Sequence, residues 1–170
     1  MIKKSDIIQK VKEAAYSISF QVDSKTCGLL LDAESIESNP LSRFALNIMN
    51  KNLELALKTR IPACQDTGMA IIFASVGKDA DIEGDIYDSI NEGIRQGYVT
   101  LRKSVLDPIT RKNTGDNTPA VIYTELVDGT SLRLDIMAKG FGSENMSALI
   151  MLNPSDGIDG IINAVCNTVN

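Results

Sequence analysis

Apolar residues recur every three or four positions along much of this chain. After Ser5 the set Ile7, Ile8, Val11, Ala14, Ala15 and Ile18 predicts an amphipathic helix with Ser5 as its cap. A short second helix is expected after Asp23 or Ser24, carrying Leu29 to Leu31 inward. Asn39-Pro40 opens a third. The asparagine can cap, and a proline at the first helical position forgoes an N–H that would lack a partner anyway. Leu41, Phe44, Ala45, Ile48, Met49, Leu53, Ala56 and Leu57 line one face of it. Residues 1 to about 60 therefore read as helical. The pattern changes at Ile61-Pro62. Met69 to Val76 is a short apolar run, partly β-branched, as in a strand buried on both faces. Asp85 opens a helix with Ile86, Ile90, Ile94, Tyr98 and Leu101 down one side. Gly93 and Gly97 lie inside it and each costs about 1 kcal/mol against alanine, so either another backbone approaches closely or the packing simply tolerates them. Val121–Val127 and Leu132–Met137 flank Asp128-Gly129, the pattern of a β-hairpin. Ser155 or Asp156 starts a last helix bearing Ile158, Ile161, Ile162, Val165 and Val169.

The expected fold is α+β: a helical N-terminal region, then a mixed or antiparallel sheet with packed helices. Residues 1–170 are expected to form a single domain with a helical lead-in over about 1–60. The apolar stripe runs to Asn170 without a capping sequence, so the domain reads as truncated at its C-terminus.

Composition narrows the chemistry. Seventeen Lys and Arg against 22 Asp and Glu give a net charge of −5 and a pI near 4.8, which argues against a nucleic-acid partner. There is no histidine, so Ser-His-Asp and Cys-His catalysis and His-ligated zinc are excluded. Cys27, Cys64 and Cys166 form no CxxC pair, and their odd, wide spacing is unlike a secreted disulfide framework. No apolar run approaches the length of a membrane span, and the first dozen residues lack a signal-peptide pattern. A cytoplasmic setting with no membrane partner is the expectation.

Three polar, glycine-containing segments sit at the edges of the predicted elements, where binding groups collect. Ile61-Pro-Ala-Cys-Gln-Asp-Thr-Gly68 precedes the first strand. Cys64 could ligate a metal, Asp66 could move a proton and Gln65 could orient a substrate; Asp-Thr-Gly is also ordinary turn chemistry. Asn113-Thr-Gly-Asp-Asn-Thr-Pro119 precedes the predicted hairpin and suits either a scaffold turn or a carboxylate-binding loop. Lys139-Gly-Phe-Gly-Ser-Glu-Asn145 follows it. It lacks the spacing of a dinucleotide or Walker loop, but the N–H groups of Gly140 and Gly142 could hold a carboxylate. Arg102-Lys103 suits the end of a helix, and an arginine fork also suits a dicarboxylate.

These three segments, with Leu101-Arg-Lys-Ser104 and Leu152-Asn-Pro-Ser-Asp-Gly157, stand in one order. The series resembles the α subunit, or N-terminal catalytic domain, of class I fumarases and L-tartrate dehydratases, over about residues 5–170. The resemblance implies a hydro-lyase that reversibly dehydrates a small 2-hydroxy dicarboxylate at a [4Fe-4S] cluster. In such enzymes three cysteines hold three irons and the fourth iron meets the substrate. By this similarity Cys64 is one ligand, Gln65 and Asp66 contact the substrate, and Asp66 gives the leaving hydroxyl its proton. Arg102, Gly140, Gly142 and Ser143 would bind carboxylate. The two further cysteine ligands and the carbon base are expected outside this chain, with Cys27 and Cys166 in the core. The implied partner is a β subunit or C-terminal domain of the same enzyme, in an oligomer. The alternative is a cluster-less assembly, regulatory or dicarboxylate-binding domain of the same descent. A mononuclear-metal site on Asp66 and Asp116 is a third reading.

Overall fold

The computed structural model of the chain describes residues 1–142 and 147–169. They divide into two units, Met1–Lys139 and Gly140–Asn170. The fold is α+β, with five helices and a three-stranded mixed sheet among the described residues.

In the first unit, α1 (Lys4–Ser17) turns Ile7, Val11 and Ala15 inward at the four-residue spacing of one helix face. Its cap position is Lys3, not Ser5; the Lys3 side chain makes no capping bond, and the Lys4 N–H donates instead to Glu83 Oε2 at 3.0 Å. α4 (Ile86–Gly97) is opened by Asp85, whose carboxylate accepts from the Asp88 N–H at 2.9 Å. Ile90, Ile94, Tyr98 and Leu101 are buried against α1 and against Ala70 and Ile72 of β1 (Met69–Gly77).

The glycine pair in α4 is explained by this contact. A Cβ on Gly93 would stand 2.6 Å from the Val11 Cβ and 2.9 Å from the Ile8 carbonyl oxygen. One on Gly97 would stand 2.9 Å from the Ala15 Cβ. Gly93→Ala is therefore expected to destabilise by about 1–3 kcal/mol through overpacking, although alanine is the better helix former. A thermal melt reads this, and an unchanged or higher midpoint would show that α1 and α4 are not in such close contact.

The sheet order is β2-β1-β3. β1 pairs in parallel with β2 (Val121–Val127) and antiparallel with β3 (Leu132–Lys139). The Asp128-Gly129 hairpin is thereby corrected. β2 and β3 are not neighbours, and the loop between them arches over the end of β1. The Gly77 N–H donates to the Ser131 carbonyl at 2.8 Å and the Asp79 N–H to the Gly129 carbonyl at 3.0 Å. A Cβ at Gly77 would run into the Gly129 backbone. Two alternating strands joined by Asp-Gly look alike in sequence whether they pair directly or straddle a third.

β1 is also not covered on both faces. Ala70, Ile72 and Ala74 face the helices, but Phe73 is 47% exposed on the other side and stacks on Tyr123 of β2 at 5.3 Å between centroids. An apolar run cannot state whether a second layer is present.

α2 (Ser24–Ile36) is capped by Asp23, which accepts from the Thr26 N–H, and α3 (Pro40–Thr59) by Asn39. Glu34 joins them, accepting from Asn47 at 2.8 Å and Asn50 at 2.6 Å. Their apolar stripes are largely uncovered. Leu29 and Leu31 are exposed rather than inward, as are Leu41, Phe44 and Ile48. Cys27 is only half-buried, and Cys166 is exposed, so neither is the core cysteine the sequence suggested.

In the second unit a 3₁₀ turn, Pro154–Asp156, leads into α5 (Gly157–Val169), close to the predicted start. No described helix is long and apolar enough to cross a membrane.

Candidate functional site

β1 and β2 run parallel and β3 opposes them. The starts of β1 and β2 and the end of β3 therefore share one edge of the sheet, with Met69 opposite Lys139 and Ile71 opposite Val121. The polar segments before β1 and β2 meet at this edge.

The 61–68 loop is tied at its entry. The Ala63 N–H donates to the Ser19 carbonyl at 2.9 Å, and the Asn52 amide donates to the Ala63 carbonyl at 2.8 Å. Cys64 and Gln65 follow, both exposed, and the Cys64 thiol lies 3.8 Å from Gln65 Oε1. Asp66 is half-buried, and its Oδ1 accepts from the Gly68 N–H at 3.0 Å. Thr67 is buried and donates to the Arg102 carbonyl at 2.6 Å, with its hydroxyl 3.1 Å from that of Ser104. The exposed Arg102 guanidinium returns a bond to the Gln65 carbonyl at 3.4 Å. The fold thus brings Cys64, Gln65, Asp66 and Arg102 together.

Beneath them lies Asn117, wholly buried. Its Oδ1 accepts from the Ser104 N–H at 2.8 Å and the Val105 N–H at 3.0 Å, and its Nδ2 donates to the Gly68 carbonyl at 2.7 Å. Asp116 beside it accepts from the Thr118 N–H and hydroxyl and, at 3.0 Å, from Arg95 Nε. Burial raises the Asp116 pKa, but the Thr118 and Arg95 donors outweigh it and hold the carboxyl below its ordinary range. Glu92 is the other partner of Arg95. Among the described residues, no group of three or more Cys, Asp or Glu is placed to hold a metal, so Asp66 and Asp116 belong to no such cluster.

Tyr98 closes the base of the site, its hydroxyl donating to the Thr67 carbonyl at 3.1 Å. Burial pushes its pKa from 10.0 up to about 12; the Asp66 charge adds to this and the Asn117 amide opposes it. A phenol whose pKa is raised on folding contributes stability that is complete below the unfolded value and is lost as pH climbs through the folded one. Tyr98→Phe is expected to cost about 1 kcal/mol near neutrality. It should also flatten the fall in stability between about pH 10 and 12. Urea unfolding across that range checks both, and an unchanged alkaline slope would remove Tyr98 as its source.

Gly140 and Gly142 belong to the second unit, the first half-buried and the second exposed; Ser143 lies outside the described residues. The sequence did not single out Thr67, Ser104, Asn117 or Tyr98. Thr67 resembled turn chemistry, and Tyr98 one more member of an apolar stripe. The one available signal was the density of small polar residues in 113–118.

A thiol, a carboxamide, a carboxylate and a guanidinium thus stand on two cross-tied loops at one end of the sheet. The comparisons with known proteins give the family. The family model described as "Fumarate hydratase (Fumerase)" matches residues 8–170, and the chain belongs to that family. It is 37% identical, over 99% of its length and 61% of the relative's, to a Methanocaldococcus jannaschii protein named provisionally as L(+)-tartrate dehydratase subunit alpha. It is 32% identical to the anaerobic class I fumarate hydratase of Escherichia coli K12, over 83% of this chain and 26% of that one. Against the L(+)-tartrate dehydratase subunit alpha of Escherichia coli UTI89 the identity is 23%, over 98% and 58%. The chain spans about three fifths of the length of the α-subunit relatives it matches.

Proposed function

We propose that this chain is the N-terminal part of the α subunit of a [4Fe-4S] hydro-lyase that reversibly dehydrates a small 2-hydroxy dicarboxylate, malate to fumarate or tartrate to oxaloacetate. The observation that carries the reading is the placement of Cys64, Gln65, Asp66 and Arg102 on two mutually bonded loops in a chain of this family.

The residues present suit one corner of a cluster. The Cys64 thiol is unbridged, as a ligand must be, and also exposed, and Cys27 and Cys166 join it in no group of three among the described residues. Two further cysteines would come from outside residues 1–170. When bound, the cluster supplies a Lewis acid that eases loss of the substrate hydroxyl. Asp66 delivers a proton to the departing hydroxyl, which leaves as water, and Gln65 offers an amide to orient the substrate's oxygen atoms. Arg102 presents a bidentate fork to one carboxylate. Gly140, Gly142 and Ser143 are further candidates for binding a carboxylate, by the same family resemblance. The base for the carbon-bound proton belongs to the partner, a β subunit. Three free thiols and a cluster of this kind suit the reducing cytoplasm.

The test is to assemble the full α subunit with its partner and reconstitute it anaerobically with iron and sulfide. Dehydration of malate or tartrate is expected. An assembled enzyme that turns over neither would overturn the reading. The scarcity of cysteine around Cys64 favours one other reading, a cluster-free dicarboxylate-binding domain. That reading expects tartrate or malate to bind with no iron or sulfide retained.

A further inference from the structure

Asn117 is wholly buried, and from outside both site loops its side chain bonds to each of them. Its acceptor end takes two consecutive backbone N–H groups, two and three residues after Arg102. Its donor end meets the Gly68 carbonyl, two residues after Asp66. The backbone at Asn117 is left-handed, with φ 65°, a region asparagine enters more readily than most residues. Aspartate would lose the donor and set an oxygen against the Gly68 carbonyl. Serine and alanine are too short to bridge the gap.

We propose that Asn117 is a positioning residue, fixing through the backbone the spacing between Arg102 and the Cys64–Asp66 loop; the inference rests on the hydro-lyase reading above. Thr67 adds a parallel tie to the Arg102 carbonyl, so the Arg102 turn is held on both its C=O and N–H sides. Asn117 does not meet the substrate. It sets how the groups that do meet it are arrayed, and a displacement of about 1 Å can cost up to about a hundredfold in rate.

The experiment uses the assembled, reconstituted enzyme and compares Asn117→Asp and Asn117→Gly with Gly93→Ala. The last is expected to be destabilised at the α1–α4 contact, and Gly93 bonds neither site loop. Two quantities are read: KM and kcat for the dehydrated substrate, and affinity for succinate, a dicarboxylate without the hydroxyl to be lost, by calorimetry. Both Asn117 variants are expected to load iron and sulfide fully. Both should weaken succinate binding and raise KM by about tenfold or more, while Gly93→Ala leaves them unchanged. Succinate affinity and KM within about twofold of wild type would overturn the inference. So would a change that Gly93→Ala reproduces. Asn117→Gly decides if Asn117→Asp does not fold, since glycine adopts the left-handed backbone freely. If neither folds under conditions where Gly93→Ala does, Asn117 is purely structural and the inference fails. An inactive wild type would instead sink the hydro-lyase reading, and succinate binding would still report on Asn117.

Discussion

Cys64→Ser in the assembled enzyme should lower turnover by about a hundredfold or more, and iron and sulfide retention should fall with it. Serine offers a harder, far less acidic ligand in place of a thiolate. The fold should barely notice the change. Cys64 is exposed, its thiol lies 3.8 Å from Gln65 Oε1, and such surface changes usually stay within about 0.5 kcal/mol. The loss would therefore be one of cofactor rather than of stability. Metal and sulfide analysis, with a thermal melt of the chain alone, separates the two. Cys27→Ser and Cys166→Ser serve as comparisons and should keep the cluster. Full activity in Cys64→Ser, or its loss in Cys166→Ser, would transfer the ligand role elsewhere.

Asp66→Asn should act on a different step. The amide oxygen can still accept from the Gly68 N–H, so the turn that shapes the loop survives. On the proposed mechanism the substitution removes the ionisable proton offered to the leaving hydroxyl. A positioned acid contributes typically about 10²–10⁴-fold, so kcat should fall by that order while cluster content holds and KM changes far less. Steady-state kinetics on the reconstituted enzyme decides it. A normal kcat would remove Asp66 as the proton source, and a rise in KM alone would recast it as a binding group.

How far the fold could be read in advance differed from element to element. α4 announced itself twice, by its stripe of Ile90, Ile94 and Tyr98 and by two glycines whose cost needed a reason; α1 is that reason. Both signals are local, so a sequence holds them. The sheet order is not local. Asp128-Gly129 between alternating strands carries the same pattern whether the strands meet or β1 lies between them, and only long-range pairing decides. The stripes on α2 and α3 were equally visible, but a stripe states that a face is apolar and not that anything covers it. Leu41 and Phe44 remain exposed in this chain.

The site divides in the same way. Cys64, Gln65, Asp66 and Arg102 stood out because their segments fall in a recognisable order, although Asp-Thr-Gly alone is ordinary turn chemistry and Arg102 alone suits a helix end. Asn117 did not. Among Asn113, Thr114, Asp116, Asn117 and Thr118 each residue is a plausible turn former, and which of them turns inward depends on a backbone conformation that composition does not encode. The buried tie from Tyr98 to the Thr67 carbonyl was hidden for the opposite reason, inside a pattern already accounted for by packing.

The central place of β1 has a consequence during synthesis. Both of its neighbours come later in the chain, β2 ending at Val127 and β3 at Lys139. At about 5–20 residues per second, β1 waits several seconds for its first partner. Through that interval the run from Met69 to Val76 presents two unpaired edges, apolar, uncharged and free of proline. α1 is already made, and α4 follows within a fraction of the wait, so helices can shelter one face of the strand before either edge is closed. The interval is set by the order of the elements in the chain, and faster translation of residues 98–120 would shorten it.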